Sequence, residues 1–87
     1  MKNLSGTITS GGAAQVLCTH NNNRAYLLVQ NISDITMWVN DLGTATADTP
    51  SIQLIAGASL ELTGRAAVGA WSIIGATTGK KFVAREA

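Results

Sequence analysis

Apolar and polar residues alternate in short stretches along this chain, and glycine and asparagine separate the stretches. Residues 59–62 show the alternation most clearly, with Leu60 and Leu62 on one side and polar residues on the other. A period of two predicts β-strands, because successive side chains of a strand point to opposite faces of the sheet. No stretch long enough for a helix keeps the 3.6-residue apolar period free of such breakers. The chain is therefore predicted to be all-β.

Eight short segments fit this pattern, and turn-forming residues separate them. The segments are residues 6–9, 13–19, 25–31, 37–40, 51–55, 59–62, 70–74 and 80–85. Seven or eight short strands are too many for one open sheet to cover its own apolar face, whereas two packed sheets or a closed barrel would bury it. We predict a small antiparallel β-sandwich, with a jelly-roll-like strand order as one alternative.

Two turns are predicted to close β-hairpins. Residues 24–40 contain the densest apolar run and divide into two strands with a short turn, which indicates a hairpin at the centre of the sandwich. Residues 75–81 resemble a phosphate-binding loop, but the glycine spacing is one residue short and a strand follows where a helix is needed. A glycine-containing hairpin turn explains the same residues.

The domain organisation follows from length. A chain of 87 residues forms one domain at most. Residues 1–12 carry few large apolar side chains and are predicted to be an N-terminal arm or an added edge strand. Residues 13–87 are then the single sandwich domain.

Composition indicates a protein that associates with copies of itself. A core of this size is marginal by itself, and small domains usually gain a disulfide, a metal or a partner subunit. Cys18 is the one cysteine and His20 the one histidine, which excludes an intrachain disulfide and a four-ligand zinc site. Charged residues make up only 13% of the chain, against about 25% in a typical domain. We therefore expect a homo-oligomer.

Charge and hydropathy exclude other classes. The net charge is +1 and no basic block is present, so nucleic acid is not expected as a partner. The first residues lack the apolar run of a signal peptide, and no stretch has the length of a membrane helix. We expect a protein made in the cytosol that does not enter a membrane.

No set of residues predicts catalysis, a metal or a cofactor. Cys18 and His20 lie two positions apart, but a nucleophile pair needs a third orienting group, and a metal needs more ligands. Asp34, Asp41 and Asp48 each fall at a predicted turn, where a carboxylate caps backbone N–H groups. The chain is predicted not to be an enzyme.

Four residues are candidates for a subunit or partner interface. Trp38 and Trp71 are the two largest side chains, and they either fill the space between the sheets or stack on a partner or a sugar. Arg24 and Tyr26 stand at the start of the predicted central strand. Arg24 also has a structural alternative, because a buried guanidinium would tie strand ends to adjacent loops.

The central segment resembles a pattern found in small virion proteins of tailed bacteriophages. Arg24 precedes an aromatic-containing strand that ends in Gln30-Asn31, followed by Ser33 and a second short strand at residues 37–40. Residues 51–59 and 71–82 are similar to later parts of the same pattern, so the resemblance covers most of residues 15–82.

The resemblance implies a structural part of the virion. It favours a capsid decoration, or cement, protein on the capsid surface that binds the major capsid protein and stabilises its lattice, assembled in the cytoplasm of a host bacterium. It also favours a trimer. A tail, fibre-base or adsorption component remains an alternative, as does a carbohydrate-binding β module. The pattern assigns no functional residues.

Overall fold

Nine short β-strands carry almost all of the regular structure. The computed structural model describes residues 1–87. The strands are β1 Lys2–Asn3, β2 Gly6–Thr7, β3 Gln15–Cys18, β4 Tyr26–Asn31, β5 Met37–Asn40, β6 Ile52–Leu54, β7 Ser59–Thr63, β8 Trp71–Gly75 and β9 Lys81–Glu86. A single 3-10 turn, Gly64–Ala67, follows β7. Every strand pair is antiparallel, which confirms the predicted all-β class.

The strands form two sheets packed face to face, which confirms the β-sandwich. In sheet I the strand order is β1-β9-β4-β7, and β2 also pairs with β9. In sheet II the order is β3-β8-β5-β6. After β2 every connection except β5–β6 passes from one sheet to the other. Strands that are neighbours in sequence therefore rarely lie beside each other.

Both predicted hairpins are wrong for this reason. The segment 24–40 does contain two strands, but β4 belongs to sheet I and β5 to sheet II. The same holds for β8 and β9, on either side of residues 76–80. Asn31 helps to direct the connection from β4 to β5, because its Nδ2 group donates to the carbonyl oxygens of Ile35 (2.6 Å) and Leu54 (2.8 Å). The glycine-containing turn at residues 76–80 therefore connects the two sheets and does not close a hairpin.

The hydrophobic core lies between the two sheets. Alternate residues of β4 and β9 point inward from sheet I, and those of β5 and β8 point inward from sheet II. The largest apolar side chains with less than 2% exposure are Ile8, Leu27, Met37, Ile73, Val29 and Val39. Burial of this kind is worth roughly 1.5–3 kcal/mol for each side chain.

The N-terminal segment forms an added edge of sheet I. Lys2 lies opposite Glu86, and Gly6 lies opposite Phe82. Ile8 follows directly and is completely buried in the core, although it stands within a stretch with few large apolar residues. The segment thus adds both strand pairs and a core side chain.

Candidate functional site

The Arg24 side chain is buried and forms hydrogen bonds inside the sandwich. Its Nε group donates to Oε2 of Glu86 at 2.5 Å, and its Nη1 group donates to the carbonyl oxygen of Ala67 at 2.8 Å. The Nη2 group donates to the carbonyl oxygen of Thr19 at 2.7 Å. The residue is only 4% exposed. Because a buried charge must be paired and hydrogen-bonded, these contacts account for its position before β4.

Asn31 and Ser33 form a second structural cluster. The Oδ1 atom of Asn31 accepts from the backbone N–H of Ser33 (3.0 Å) and from its hydroxyl (2.6 Å). With the two bonds donated by Nδ2, all polar atoms of this completely buried amide are used. The arginine, asparagine and serine of the central segment thus stabilise the fold through hydrogen bonds within the chain.

The outer face of sheet II carries the candidate site. Trp38 lies opposite Ile74, and Asn40 lies opposite Ser72, so these four side chains stand in two neighbouring rows on one face. Trp38 and Ile74 are half-buried. Residues 41–51, which connect β5 to β6, fold back over this face and form a wall beside it.

Side-chain hydrogen bonds hold that wall in place. Asn40 Oδ1 accepts from the N–H of Leu42 at 2.6 Å, and Asn40 Nδ2 donates to the Ser51 hydroxyl at 3.1 Å. The Ser72 hydroxyl donates to the carbonyl oxygen of Gly43 at 2.8 Å. Both ends of the connection are therefore fixed to sheet II, and Ala45 in its middle is only 1% exposed.

Two adjoining cavities form a groove between this wall and the sheet. We call it the sheet II groove. The cavity over Trp38 has a volume of about 600 Å³ and that over Trp71 about 670 Å³, and Ala14 and Thr44 line both. No charged residue lines the first cavity; its polar side chains are threonines. The second contains His20 and a single carboxylate, Asp41.

Exposed apolar side chains border the second cavity. Val16 is 70% exposed and Leu42 is 76% exposed. Trp71 at the base of the cavity is only 3% exposed, and its Nε1 atom is the one buried side-chain nitrogen or oxygen without a hydrogen-bond partner. The groove therefore combines aromatic and aliphatic surface with almost no charge, which suits uncharged ligands.

The four sequence-predicted interface residues lie in different places. Trp38 lines one half of the groove, whereas Trp71 borders the other half but belongs to the hydrophobic core and is almost wholly covered by the chain itself. Tyr26 is half-buried on the outer face of sheet I, on the opposite side of the molecule. Arg24 is enclosed in the interior and has almost no surface for a partner. Trp38 is the strongest member of the set.

Sequence reasoning missed the wall of the groove. Residues 44–47, Thr-Ala-Thr-Ala, lie between two predicted turns and belong to none of the predicted strands. Their small uncharged side chains let the connection approach Trp38 closely. Val16 gave a weak signal, since it is a large apolar residue in a strand where Leu17 is the one that faces the core.

The side chains that could support catalysis or metal binding lie apart from one another or are already paired within the chain. Burial raises the pKa of the Cys18 thiol, an effect that the nearby Arg24 guanidinium partly offsets. Asp34 pairs with Lys80 at 2.7 Å, and Asp48 Oδ1 accepts from the N–H of Thr49 at 2.7 Å. No group of three or more histidine, cysteine, aspartate or glutamate side chains is placed to hold a metal ion. No helix has the length and hydropathy needed to cross a membrane.

Comparisons with protein-family models, with curated proteins and with solved structures found no match to this chain.

Proposed function

We propose that this chain is a non-enzymatic structural protein of a tailed-bacteriophage virion, a capsid decoration protein that binds the major capsid protein through the sheet II groove. The observation that carries the proposal is the groove itself, which offers Trp38, Val16 and Leu42 beside almost no charge. The resemblance of residues 15–82 to small virion proteins supplies the partner. The protein would reside on the capsid surface after assembly in the host bacterial cytoplasm.

The groove explains how such binding would work. Apolar and aromatic side chains gain free energy when they leave water, at about 25 cal/mol for each Å² of apolar surface, and they carry no charge that must be desolvated. An indole in a preformed groove also loses little side-chain entropy on binding. A decoration protein repeats this contact at many lattice positions, so moderate single contacts add up to firm attachment.

A carbohydrate-binding role is the second candidate, and one observation favours it. Trp38 stands beside the hydroxyls of Thr36, Thr44 and Thr46 in one cavity, which combines a stacking surface with hydrogen-bonding groups. A tail or adsorption component would use the same groove but would occur in few copies.

Exposed positions at the groove allow a direct test of capsid binding. Capsids from which this protein has been removed are mixed with the full chain. The bound protein is then quantified against the coat protein after sedimentation. We expect Val16→Glu and Leu42→Glu to abolish binding, because each places a charge in apolar surface. Ile55→Glu, at a 58% exposed position outside the groove, is the matched control and should bind normally.

Copy number separates the alternatives. A decoration protein should approach the abundance of the coat protein in purified particles, whereas a few copies per particle would point to the tail. Tryptophan fluorescence that changes with added sugars, and is lost in Trp38→Phe, would instead support the carbohydrate module.

A further inference from the structure

The outer face of sheet I carries a row of three side chains with opposite charges at its ends. Leu28 in β4 lies opposite Glu61 in β7 on one side and opposite Arg85 in β9 on the other. Directly opposed residues share a face, so the row runs Glu61, Leu28, Arg85 across three strands. With strands about 4.8 Å apart, the two charged residues are separated by roughly 9–10 Å of backbone.

Neither charge at the ends of this row forms an ion pair within the chain, and the polar neighbour of Glu61 is the uncharged Tyr26 hydroxyl. The ion pairs of the structure are Lys2 with Glu86, Arg24 with Glu86, and Lys80 with Asp34. Glu61 and Arg85 are exposed, while Leu28 between them is half-buried. On β4 the uncharged residues Tyr26 and Gln30 flank Leu28, and the one further charge on the face of β4 and β9 is the exposed Lys81, at the opposite end of β9 from Arg85.

We propose that this face pairs with the same face of a second copy, about a two-fold axis that runs along β4. A rotation of 180° about that axis brings sheet I of the second copy face to face with sheet I of the first. It places β7 of one copy over β9 of the other. Glu61 then faces Arg85 of the second copy, and Arg85 faces its Glu61, while the two Leu28 side chains meet at the centre. A two-fold interface uses the same patch twice, so one complementary pair appears two times.

Charge selects this orientation over the other face-to-face arrangement. A two-fold axis perpendicular to the strands would place Glu61 on Glu61 and Arg85 on Arg85, which is repulsive. Both axes keep the strands of the two sheets nearly aligned, and packed sheets prefer such an angle, near −30°, so charge is what distinguishes the two arrangements. The offset that this angle introduces stays within the reach of the long glutamate and arginine side chains.

The dimensions of the face predict a weak dimer in isolation. Four strand widths and about six residues of strand length give a flat patch of roughly 20 Å by 20 Å. That is smaller than the roughly 800 Å² that each partner contributes to a standard interface. We expect dimers that dissociate on dilution and at high salt, because the exposed ion pairs are screened. This inference does not depend on the proposed function, since the sheet II groove lies on the opposite side of the sandwich.

Charge reversal provides the test. Sedimentation of the full chain is measured between roughly 1 µM and 1 mM, the range in which weak complexes dissociate, at low and at high salt. We expect a monomer–dimer equilibrium in which Glu61→Arg or Arg85→Glu alone weakens association roughly tenfold, because each reversal creates two repulsive contacts. The double variant, Glu61→Arg with Arg85→Glu, should restore the dimer.

Control variants keep the outcome clear. Val16→Glu changes the charge of the sheet II groove and should leave the dimer intact. Should a reversal disturb folding, Glu61→Gln and Arg85→Gln remove each charge at similar size and should weaken association and its salt dependence. A strictly monomeric wild type, a trimer indifferent to the reversals, or a double variant that stays dissociated would each overturn the proposal.

Discussion

Arg24 and Glu86 form an ion pair inside the sandwich although 62 residues separate them in the sequence. The Arg24 side chain is 2% exposed and that of Glu86 is 10% exposed. The same guanidinium reaches carbonyl oxygens at Thr19, Ala67 and Gly69. One side chain thereby joins the last strand, the 3-10 turn and the connection that precedes β4.

Loss of this ion pair should strongly destabilise the fold. Replacing Arg24→Met leaves the largely buried Glu86 carboxylate with only the exposed Lys2 ammonium, 3.9 Å away, as a counter-charge. Removal of one partner from a buried ion pair typically costs about 3–5 kcal/mol. Urea unfolding followed by tryptophan fluorescence measures the free energy of unfolding. Arg65→Met, at an exposed position of the 3-10 turn, should change it by about 0.5 kcal/mol or less. Equal stability of the two variants would contradict the structural role of Arg24.

The buried Asn31 amide offers a second stability test. Asn31→Asp removes both donors, so the carbonyl oxygens of Ile35 and Leu54 lose their partner and a carboxylate is buried. We expect a loss of at least about 2 kcal/mol at neutral pH, since each buried unsatisfied group costs about 1–3 kcal/mol. Gln53→Glu, the same type of change at an exposed position of β6, is the control and should be nearly neutral. A normal midpoint of urea unfolding for Asn31→Asp would rule out these bonds.

The Cys18 thiol should resist modification in the folded protein. The residue is only 5% exposed, and burial raises its pKa, so little reactive thiolate is present at neutral pH. Reaction with a disulfide reagent is therefore expected to be slow and to accelerate in urea. A cysteine placed by Val16→Cys in a Cys18→Ala background should react quickly, because that position is 70% exposed. Equally fast reaction of Cys18 would show that β3 opens readily.

Tyr26 should titrate at unusually high pH. Partial desolvation and the neighbouring Glu61 raise its pKa above the ordinary value. The chain has one tyrosine, and its two tryptophans do not ionise, so the pH-dependent change in near-ultraviolet absorbance reports the Tyr26 phenol. A raised folded-state pKa means that the associated stability is complete below the unfolded-state pKa and is lost as the pH rises through the folded-state value.

The contribution of Glu61 to that titration can be separated. Glu61→Gln should lower the midpoint toward that of the urea-unfolded chain, while Asp41→Asn, which changes an exposed carboxylate on the sheet II side of the molecule, should leave it in place. Identical midpoints for folded and unfolded wild type would refute the shift.

Gly11 occupies a position that no larger residue fits. A Cβ atom there would clash with the carbonyl oxygen of Ala76, which is backbone and cannot move aside easily. Gly11→Ala should therefore lower stability by about 1–3 kcal/mol, as overpacking does. At Gly69 a Cβ atom would meet nothing within 4 Å, so Gly69→Ala should be neutral or slightly stabilising. Thermal unfolding of both variants compares them directly, and equal melting temperatures would disprove the close approach.

The candidate site was only partly predictable. Trp38 could be selected because indoles are rare in this chain and suit binding surfaces. The wall at residues 44–47 could not, because its position depends on the bonds that Asn40 and Ser72 make to distant loop atoms. Arg24 and Trp71 also belong to residue types that are enriched at protein interfaces. Only the packing around them shows that both side chains are buried.

The sequence by itself determined the all-β class, the approximate strands and the sandwich, because alternation along a strand is a local property. Residues 59–62 alternate whichever strand they lie beside. The tertiary structure alone decided that β4 and β5 belong to different sheets and that Ile8 enters the core. It also placed Glu61 and Arg85 on either side of Leu28. Pairing between strands depends on hydrogen bonds and apolar contacts between residues far apart in the chain, and the period of a single strand carries no record of its partner.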